Sequence, residues 1–175
     1  MSKWNRRFVG AVLLVALAVG VGCTSTDTES PVAPTEEPSF GLVGTLLSAT
    51  DLLTCQSLPY SATTNVVGPE GGTIDVGQYS LVIPQGALSQ RVTITAEQMP
   101  GSVNSVRFSP EGLRFAKPAQ LTMSYRNCIV VLKAKRIAYT TELLRILDLL
   151  PSTDFFSSQT VTSPIDHFSR YAISY

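Results

Sequence analysis

The sequence has very few residues of the kinds that bind metal ions. It contains a single histidine, His167, and three cysteines, none of which belongs to a C-x-x-C pair. Without a C-x-x-C pair and with only one histidine, the sequence lacks the ligand spacing that is typical of a structural zinc site. The carboxylates also lack the Asp-x-Asp-x-Asp spacing of a calcium loop. We expect no metal ion and no other cofactor.

The common catalytic motifs are missing as well. The chain has neither a G-x-S-x-G elbow nor an H-E-x-x-H pair. Gly71 and Gly72 are not followed by the Lys-Ser/Thr of a phosphate-binding loop, so they predict a turn. Four aspartates are spread along the chain in the manner of turn and surface residues: Asp75, Asp148, Asp154 and Asp166.

The charges give no indication of a nucleic-acid partner. The chain has 13 basic and 13 acidic residues, and three of the basic ones lie within the first 22 positions, which leaves 10 against 13. Such a balance has no basic footprint for nucleic acid and no basic patch for anionic lipid. Lys133, Lys135 and Arg136 form the only basic cluster. A lysine-protected hairpin edge explains it.

Residues 1–22 have the pattern of a secretory signal peptide. Lys3, Arg6 and Arg7 precede an unbroken apolar run from Phe8 to Gly22. The run is shorter than the roughly 20 residues that span a bilayer, and it lacks the polar face of a core helix. We therefore expect the protein to be exported.

The end of this segment, Val19–Cys23, resembles the lipobox of bacterial lipoproteins, although Gly20 stands where that motif usually has leucine. The resemblance implies that Cys23 is diacylglycerylated and becomes the first residue of the mature chain. An ordinary secretory cut after Ala18 is the alternative. Lipidation would place the protein in the bacterial cell envelope, at the outer membrane or cell surface, with the membrane as a partner through its acyl chains.

Residues 23–40 follow as a flexible acidic tether in this interpretation. The stretch Thr24–Ser39 contains four acidic residues, three prolines and no basic residue. A sequence of this composition cannot bury enough apolar surface to fold.

Cys55 and Cys128 remain once Cys23 is assigned to the lipid. An even number of cysteines outside the cytoplasm predicts a disulfide. The bridge would close a loop of more than 70 residues. In the chain-entropy model this stabilises the fold by about 4 kcal/mol.

From Asn65 onward, short runs rich in Val, Ile, Thr, Phe and Tyr alternate with Gly, Pro and Ser. This pattern predicts an all-β fold. We expect an antiparallel β-sandwich of about eight or nine short strands over residues 65–175. The alternation is clearest in Arg91–Ala96 and Leu121–Tyr125. The predicted strands are Thr73–Val76, Tyr79–Ile83, Val92–Glu97, Ser105–Ser109, Gln120–Tyr125, Arg136–Thr140, Leu143–Leu149, Val161–Ser163 and Phe168–Ser174.

Two segments are ambiguous. Residues 41–64 suit a short helix or an irregular segment that packs on the domain, held there through Cys55. Residues 142–150 have leucine and isoleucine at helical spacing, but the neighbouring strands and the turn at Pro151 favour a buried strand.

Several landmarks of the β region resemble the ZU-five domain of zona occludens proteins, netrin receptors and ankyrins, which also occurs in bacterial lipoproteins. The resemblance covers about Asn65–Tyr175. Its three main landmarks are Gly68–Thr73, Leu81–Leu88 and Asp166–Ala172. Two further segments, Phe108–Phe115 and Lys117–Ala119, fit the spacing of the bacterial relatives.

The third landmark contains a His-Phe-Ser sequence, which marks a self-cleavage site in some relatives of that family. The resemblance implies that Ser169 attacks the carbonyl carbon of Phe168 and that His167 assists the proton transfer. The opposing interpretation is structural, with Phe168 in the core and His167 bonded to a loop. Alternation would place His167 and Ser169 on one face of the last strand and Phe168 on the other.

The sequence thus favours a non-enzymatic interaction or structural module, anchored to a membrane outside the cytoplasm, whose partner is another envelope or extracellular protein. An autoproteolytic module that cleaves between Phe168 and Ser169 is the alternative.

Overall fold

A computed structural model describes residues 51–175, which form an all-β domain without an α-helix. The predicted signal peptide, Cys23 and the acidic tether lie outside these residues. Within the described range, no helix has the length and hydropathy needed to cross a membrane.

The domain has eleven strands. They are β1 (Ser61–Val67), β2 (Gly72–Val76), β3 (Tyr79–Ile83), β4 (Val92–Met99), β5 (Ser105–Ser109), β6 (Arg114–Ser124), β7 (Arg136–Thr140), β8 (Ile146–Leu149), β9 (Thr153–Phe155), β10 (Thr160–His167) and β11 (Arg170–Ser174).

The strands form two antiparallel sheets that pack as a β-sandwich, as the sequence predicts. One sheet has six strands in the order β1-β4-β5-β11-β7-β8, and the other has five in the order β2-β3-β6-β10-β9. Strand β11 lies between β5 and β7, with Tyr171 opposite Val106 on one side and Tyr139 on the other. The last strand is therefore a central one.

The core lies between the sheets and follows the predicted alternation. Ile94 and Ala96 are buried in β4, and Leu121 and Met123 are buried in β6, while their neighbours in sequence are more exposed. A smaller cluster on the other face of the six-stranded sheet places Leu52 against Ala138 and Ala172. This contact covers part of the outer face of the neighbouring strands β7 and β11.

The segment before β1 is irregular from Asp51 to Tyr60 and packs on the sandwich. Leu53 is fully buried, and its N–H donates to the carbonyl of Ile173 at 2.9 Å. The N–H of Cys55 donates to the carbonyl of Ser102 at 2.8 Å. Asn65, where the sequence change suggested the start of the domain, lies inside β1.

Two further differences from the predicted strands have physical causes. Strands β1 and β9 are not predicted, because edge strands with polar sequences such as SATTNVV give no alternating apolar signal. The predicted strand over 142–150 exists only as β8, and it is an edge strand rather than a buried one. Leu147 in β8 is 55% exposed.

Candidate functional site

The His-Phe-Ser sequence lies at a corner where the chain passes from one sheet to the other. His167 ends β10 in the five-stranded sheet, and Arg170 begins β11 in the six-stranded sheet. Phe168 and Ser169 form the connection, so the prediction that all three residues lie on the last strand is wrong. The expected alternation of faces fails too, because Phe168 and Ser169 are both buried.

Phe168 is a central side chain of the core. Its ring stacks on Phe108, with 5.2 Å between the centroids, and meets Phe115 edge-on at 5.0 Å. Its N–H donates to the carbonyl of Leu113 at 2.8 Å, and its carbonyl accepts from the N–H of Gly112 at 3.0 Å. Both backbone groups therefore bind the turn between β5 and β6, which fixes the corner against that turn.

Tyr171 fixes the other side of the corner. Its hydroxyl donates to the carbonyl of His167 at 2.6 Å, across four positions of the chain. This geometry is that of the tyrosine corner found in β-sandwiches. Burial raises the pKa of Tyr171 above its ordinary value. The phenol therefore remains a hydrogen-bond donor at neutral pH.

His167 and Ser169 line different cavities. The half-buried His167 ring meets Tyr139 edge-on at 4.9 Å and lines a cavity of about 310 Å³ with Asp166. Ser169 lines a separate cavity of about 180 Å³ with Glu111. The structure thus brings Phe168 and Ser169 together at the corner and directs the histidine and the serine to different spaces.

A network of charges surrounds the Ser169 cavity. Glu97 accepts from Arg107 Nε and from the hydroxyl of Tyr60, each at 2.8 Å. The bond from Tyr60 first, and then that from Arg107, hold the pKa of Glu97 below its ordinary value. The bond to Glu97 raises the pKa of Arg107. Glu142 lies 3.4 Å from Arg107 and 3.8 Å from Arg170, whose pKa is lowered by burial.

The sequence gives no signal for this network. Its members come from the end of the irregular segment, β4, β5, the β7–β8 turn and β11, and their spacing in the chain follows no motif. Only the antiparallel register brings them together, with Glu97 opposite Arg107 and Arg107 opposite Arg170.

The first two landmarks, Gly68–Thr73 and Leu81–Leu88, lie in contact with each other. Gly71 has a φ of 77°, and a Cβ there would lie 2.4 Å from the carbonyl oxygen of Ile83. The N–H of Gly86 donates to the carbonyl of Pro69 at 2.8 Å. The Gly68–Thr73 and Leu81–Leu88 landmarks thus form one packed turn, and neither is arranged as an anion site.

The predicted cysteine pair is seen at disulfide distance. The sulfur atoms of Cys55 and Cys128 are 2.06 Å apart. Beside them, the N–H of Ile129 donates to the carbonyl of Thr54 at 3.0 Å. The bridge therefore joins the irregular segment to the loop between β6 and β7.

The aspartates do not form a catalytic pair. Asp154 is half-buried and structural, since it accepts from the Tyr125 hydroxyl at 2.6 Å and from the Lys135 N–H at 2.8 Å. Asp75, Asp148 and Asp166 are exposed. Among residues 51–175, no three His, Cys, Asp or Glu side chains lie close enough to hold a metal ion.

An open cavity of about 450 Å³ lies beside Asp154 and is lined by Lys135 and Arg136. The ammonium of Lys135 is already bonded, because it donates to the carbonyls of Val131 and Lys133 at 2.6 Å. The cavity therefore offers no free buried cation.

No protein-family model matches this chain, and no curated protein matches it.

Proposed function

We propose that this protein is a non-enzymatic interaction or structural module of the ZU-five type, lipid-anchored at Cys23 and exposed outside the cytoplasm. The observation that carries the non-enzymatic part is the role of the His-Phe-Ser atoms. Phe168 fills the core, its carbonyl and that of His167 accept structural hydrogen bonds, and the two side chains needed for catalysis line different cavities.

The location outside the cytoplasm is supported by the Cys55–Cys128 pair. Disulfides persist in oxidising compartments and are rare in reducing ones. The pair joins residues 73 positions apart, so it constrains most of the described domain. This is the arrangement expected of a small exported domain whose single core is of limited size.

Lipidation is tested by labelling cells with palmitate. The wild-type protein should incorporate the label and sediment with membranes, whereas Cys23→Ala should do neither. A Cys55→Ala/Cys128→Ala variant is the matched control, because it removes two cysteines and keeps Cys23, and it should incorporate label like the wild type. Equal labelling of the wild type and Cys23→Ala would refute the anchor.

The edge strand β8 is the surface we propose for the protein partner. Leu147 in β8 and Leu143 in the preceding turn are 55% and 85% exposed. An unpaired edge with apolar side chains suits the addition of a partner strand. Crosslinking in the native envelope should give a defined adduct that Leu147→Lys weakens and Val66→Lys, on the edge strand β1, leaves unchanged. Equal adducts from both variants would exclude the β8 edge.

One observation favours self-cleavage as the second candidate. The N–H of Gly112 donates to the Phe168 carbonyl oxygen at 3.0 Å, where it would stabilise a developing oxyanion. Ser169 Oγ would attack the Phe168 carbonyl carbon, and the C–N bond would break as the ester forms, with the proton passing to the Ser169 amine. Water would then hydrolyse the ester and restore the hydroxyl.

Cleavage would have to be sought after denaturation. Residues 169–175 include β11, which is held between β5 and β7, so the peptide would stay in the folded domain. Denaturing electrophoresis of purified protein over time should show no shortened chain. A shorter product that is absent from Ser169→Ala would establish the second candidate.

A further inference from the structure

Exposed apolar side chains are concentrated in the loop between β6 and β7. Ile129, Val130 and Leu132 are 55%, 76% and 92% exposed. Single exposed leucines are common on soluble proteins, whereas a contiguous group marks a contact surface. We call residues 129–133 the apolar loop.

Two phenylalanines lie in a neighbouring turn. Phe155 and Phe156, at the β9–β10 turn, are 49% and 58% exposed. Arg126 Nε donates to the carbonyl of Ser158 at 3.2 Å, and the Tyr125 N–H donates to that of Gln159 at 2.9 Å. These bonds fix the phenylalanine turn beside the β6–β7 loop.

The backbone of the apolar loop is held at both ends. Cys128 is bridged to Cys55, and the Ile129 N–H is bonded to Thr54. At the other end, the buried Lys135 ammonium donates to the carbonyls of Val131 and Lys133. The loop therefore presents its apolar side chains outward from a fixed backbone.

Within the loop itself the charges have one sign, and the carboxylate of Asp154, which accepts from the Lys135 N–H, is an acidic group beside it. Residues 126–136 include two arginines and two lysines and no acidic residue. Arg126 and Lys133 are exposed on either side of the apolar side chains, and the Lys133 ammonium lies 5.1 Å from the centroid of the Tyr175 ring. Apolar tips flanked by cations are typical of surfaces that lie in a membrane interface.

The chain from the proposed anchor reaches the domain at the same end. The carbonyl of Asp51 accepts from the Ser174 hydroxyl at 2.8 Å and from the Tyr175 N–H at 3.2 Å. Ser174 is paired with Arg136, at the start of β7 and just beyond the apolar loop. Cys23 lies 28 positions before Asp51 in the sequence.

We propose that the apolar loop and the Phe155–Phe156 turn insert into the headgroup boundary of the phospholipid bilayer that carries the anchor. The β10–β11 corner, at the opposite end of the sandwich, then faces away from the membrane. This inference rests on the proposed lipid anchor. It relies on the exposed apolar side chains. Arg126 and Lys133 are too few to form a basic patch and add only a minor attraction to anionic headgroups.

Tryptophan fluorescence can test this orientation, because the only tryptophan, Trp4, lies in the predicted signal peptide. The mature lipidated protein with Leu132→Trp would be reconstituted in vesicles of phosphatidylcholine and phosphatidylglycerol with brominated acyl chains. The matched control is Leu143→Trp, which replaces a leucine that is 85% exposed in the β7–β8 turn at the corner end. Vesicle flotation measures anchoring in the same samples.

We expect Leu132→Trp emission to shift to the blue and to be quenched about twofold or more, as for a group about 5–10 Å below the surface. Leu143→Trp emission should not change. Flotation of both proteins with equal, weak quenching would overturn the inference and leave the anchor intact. Failure of both to float would overturn the two proposals together. A concentration-dependent blue shift of Leu132→Trp without lipid would instead assign the loop to a second copy of the chain.

Discussion

The hydroxyl of Tyr171 donates to the carbonyl oxygen of His167 at 2.6 Å, across the corner between β10 and β11. This bond gives the His-Phe-Ser sequence a structural role. It holds the chain at the point where it leaves one sheet and enters the other, with Phe168 directed into the core. The His-Phe-Ser sequence that resembles a self-cleavage site therefore forms a packed corner of the sandwich.

Tyr171→Phe should destabilise the domain. The change leaves the His167 carbonyl without its donor. It should lower the free energy of unfolding, measured with urea, by about 1–3 kcal/mol.

Tyr79→Phe is the matched control for that change. The Tyr79 hydroxyl is buried and has no hydrogen-bond partner among the described residues, and the neighbouring Gln78 amide donates to Asn127 instead. Its removal should leave stability unchanged or increase it. Equal losses in the two variants would show that the Tyr171 bond contributes nothing specific.

Phe168→Ala should be the most damaging change in the motif. It removes a fully buried ring from its contacts with Phe108 and Phe115 and should lower the free energy of unfolding by about 3–5 kcal/mol. Ser169→Ala removes only a hydroxyl and should cost less than about 1 kcal/mol. Phe156→Ala, at a ring that is 58% exposed, is the size-matched control and should have little effect. A small loss for Phe168→Ala would contradict the structural interpretation.

The number of free thiols before and after reduction should report the state of all three cysteines. In the denatured, unreduced mature protein, Cys55 and Cys128 are bridged and the proposed lipid makes Cys23 a thioether, so we expect no free thiol. After reduction two thiols should appear, since the sequence has three cysteines and the proposed lipid occupies one of them. Three thiols would mean that Cys23 is unmodified. Replacing Cys55 and Cys128 by alanine should lower the free energy of unfolding by about 2–5 kcal/mol.

Glu97 should contribute to acid sensitivity. Its pKa is lowered in the folded state, first by the Tyr60 hydroxyl and then by Arg107. As the pH falls, the unfolded chain therefore binds a proton at Glu97 before the folded domain does. The contribution of Glu97 to the free energy of unfolding is complete above its ordinary pKa near 4.5, and it is lost as the pH falls through the pKa of the folded state.

Glu97→Gln tests this dependence. The variant should be less stable at pH 7 and lose less stability than the wild type between about pH 5 and pH 3. Glu70→Gln removes an exposed ion pair with Arg91 at 3.6 Å and should change stability by less than about 0.5 kcal/mol. Parallel acid-unfolding curves for the wild type and Glu97→Gln would refute a special role for this carboxylate.

The sandwich could be predicted from the sequence where strands have one apolar face. Strands β3, β5 and β7 have the predicted bounds, because their apolar residues and turn signals are local. Strand β1 could not be predicted, since of its seven residues only Val67 is buried. Its position depends on pairing with β4, which is a tertiary contact.

The site was harder to predict than the fold. The sequence identifies His167, Phe168 and Ser169 but places them on one strand, because nothing local indicates that the chain changes sheets after His167. The bond from Tyr171, the Phe108 stack and the charges around Arg107 all depend on contacts between distant segments. The cysteine pair could be predicted, since an even number of cysteines and the predicted export of the chain indicate a disulfide.

The most direct test of the central claim is the intact mass of the protein extracted from membranes and denatured. We predict one species that begins at an acylated Cys23 and continues through Tyr175. A wild-type species that lacks the mass of residues 169–175 would contradict the account, provided that Ser169→Ala gives no such species. That result would identify an autoproteolytic module.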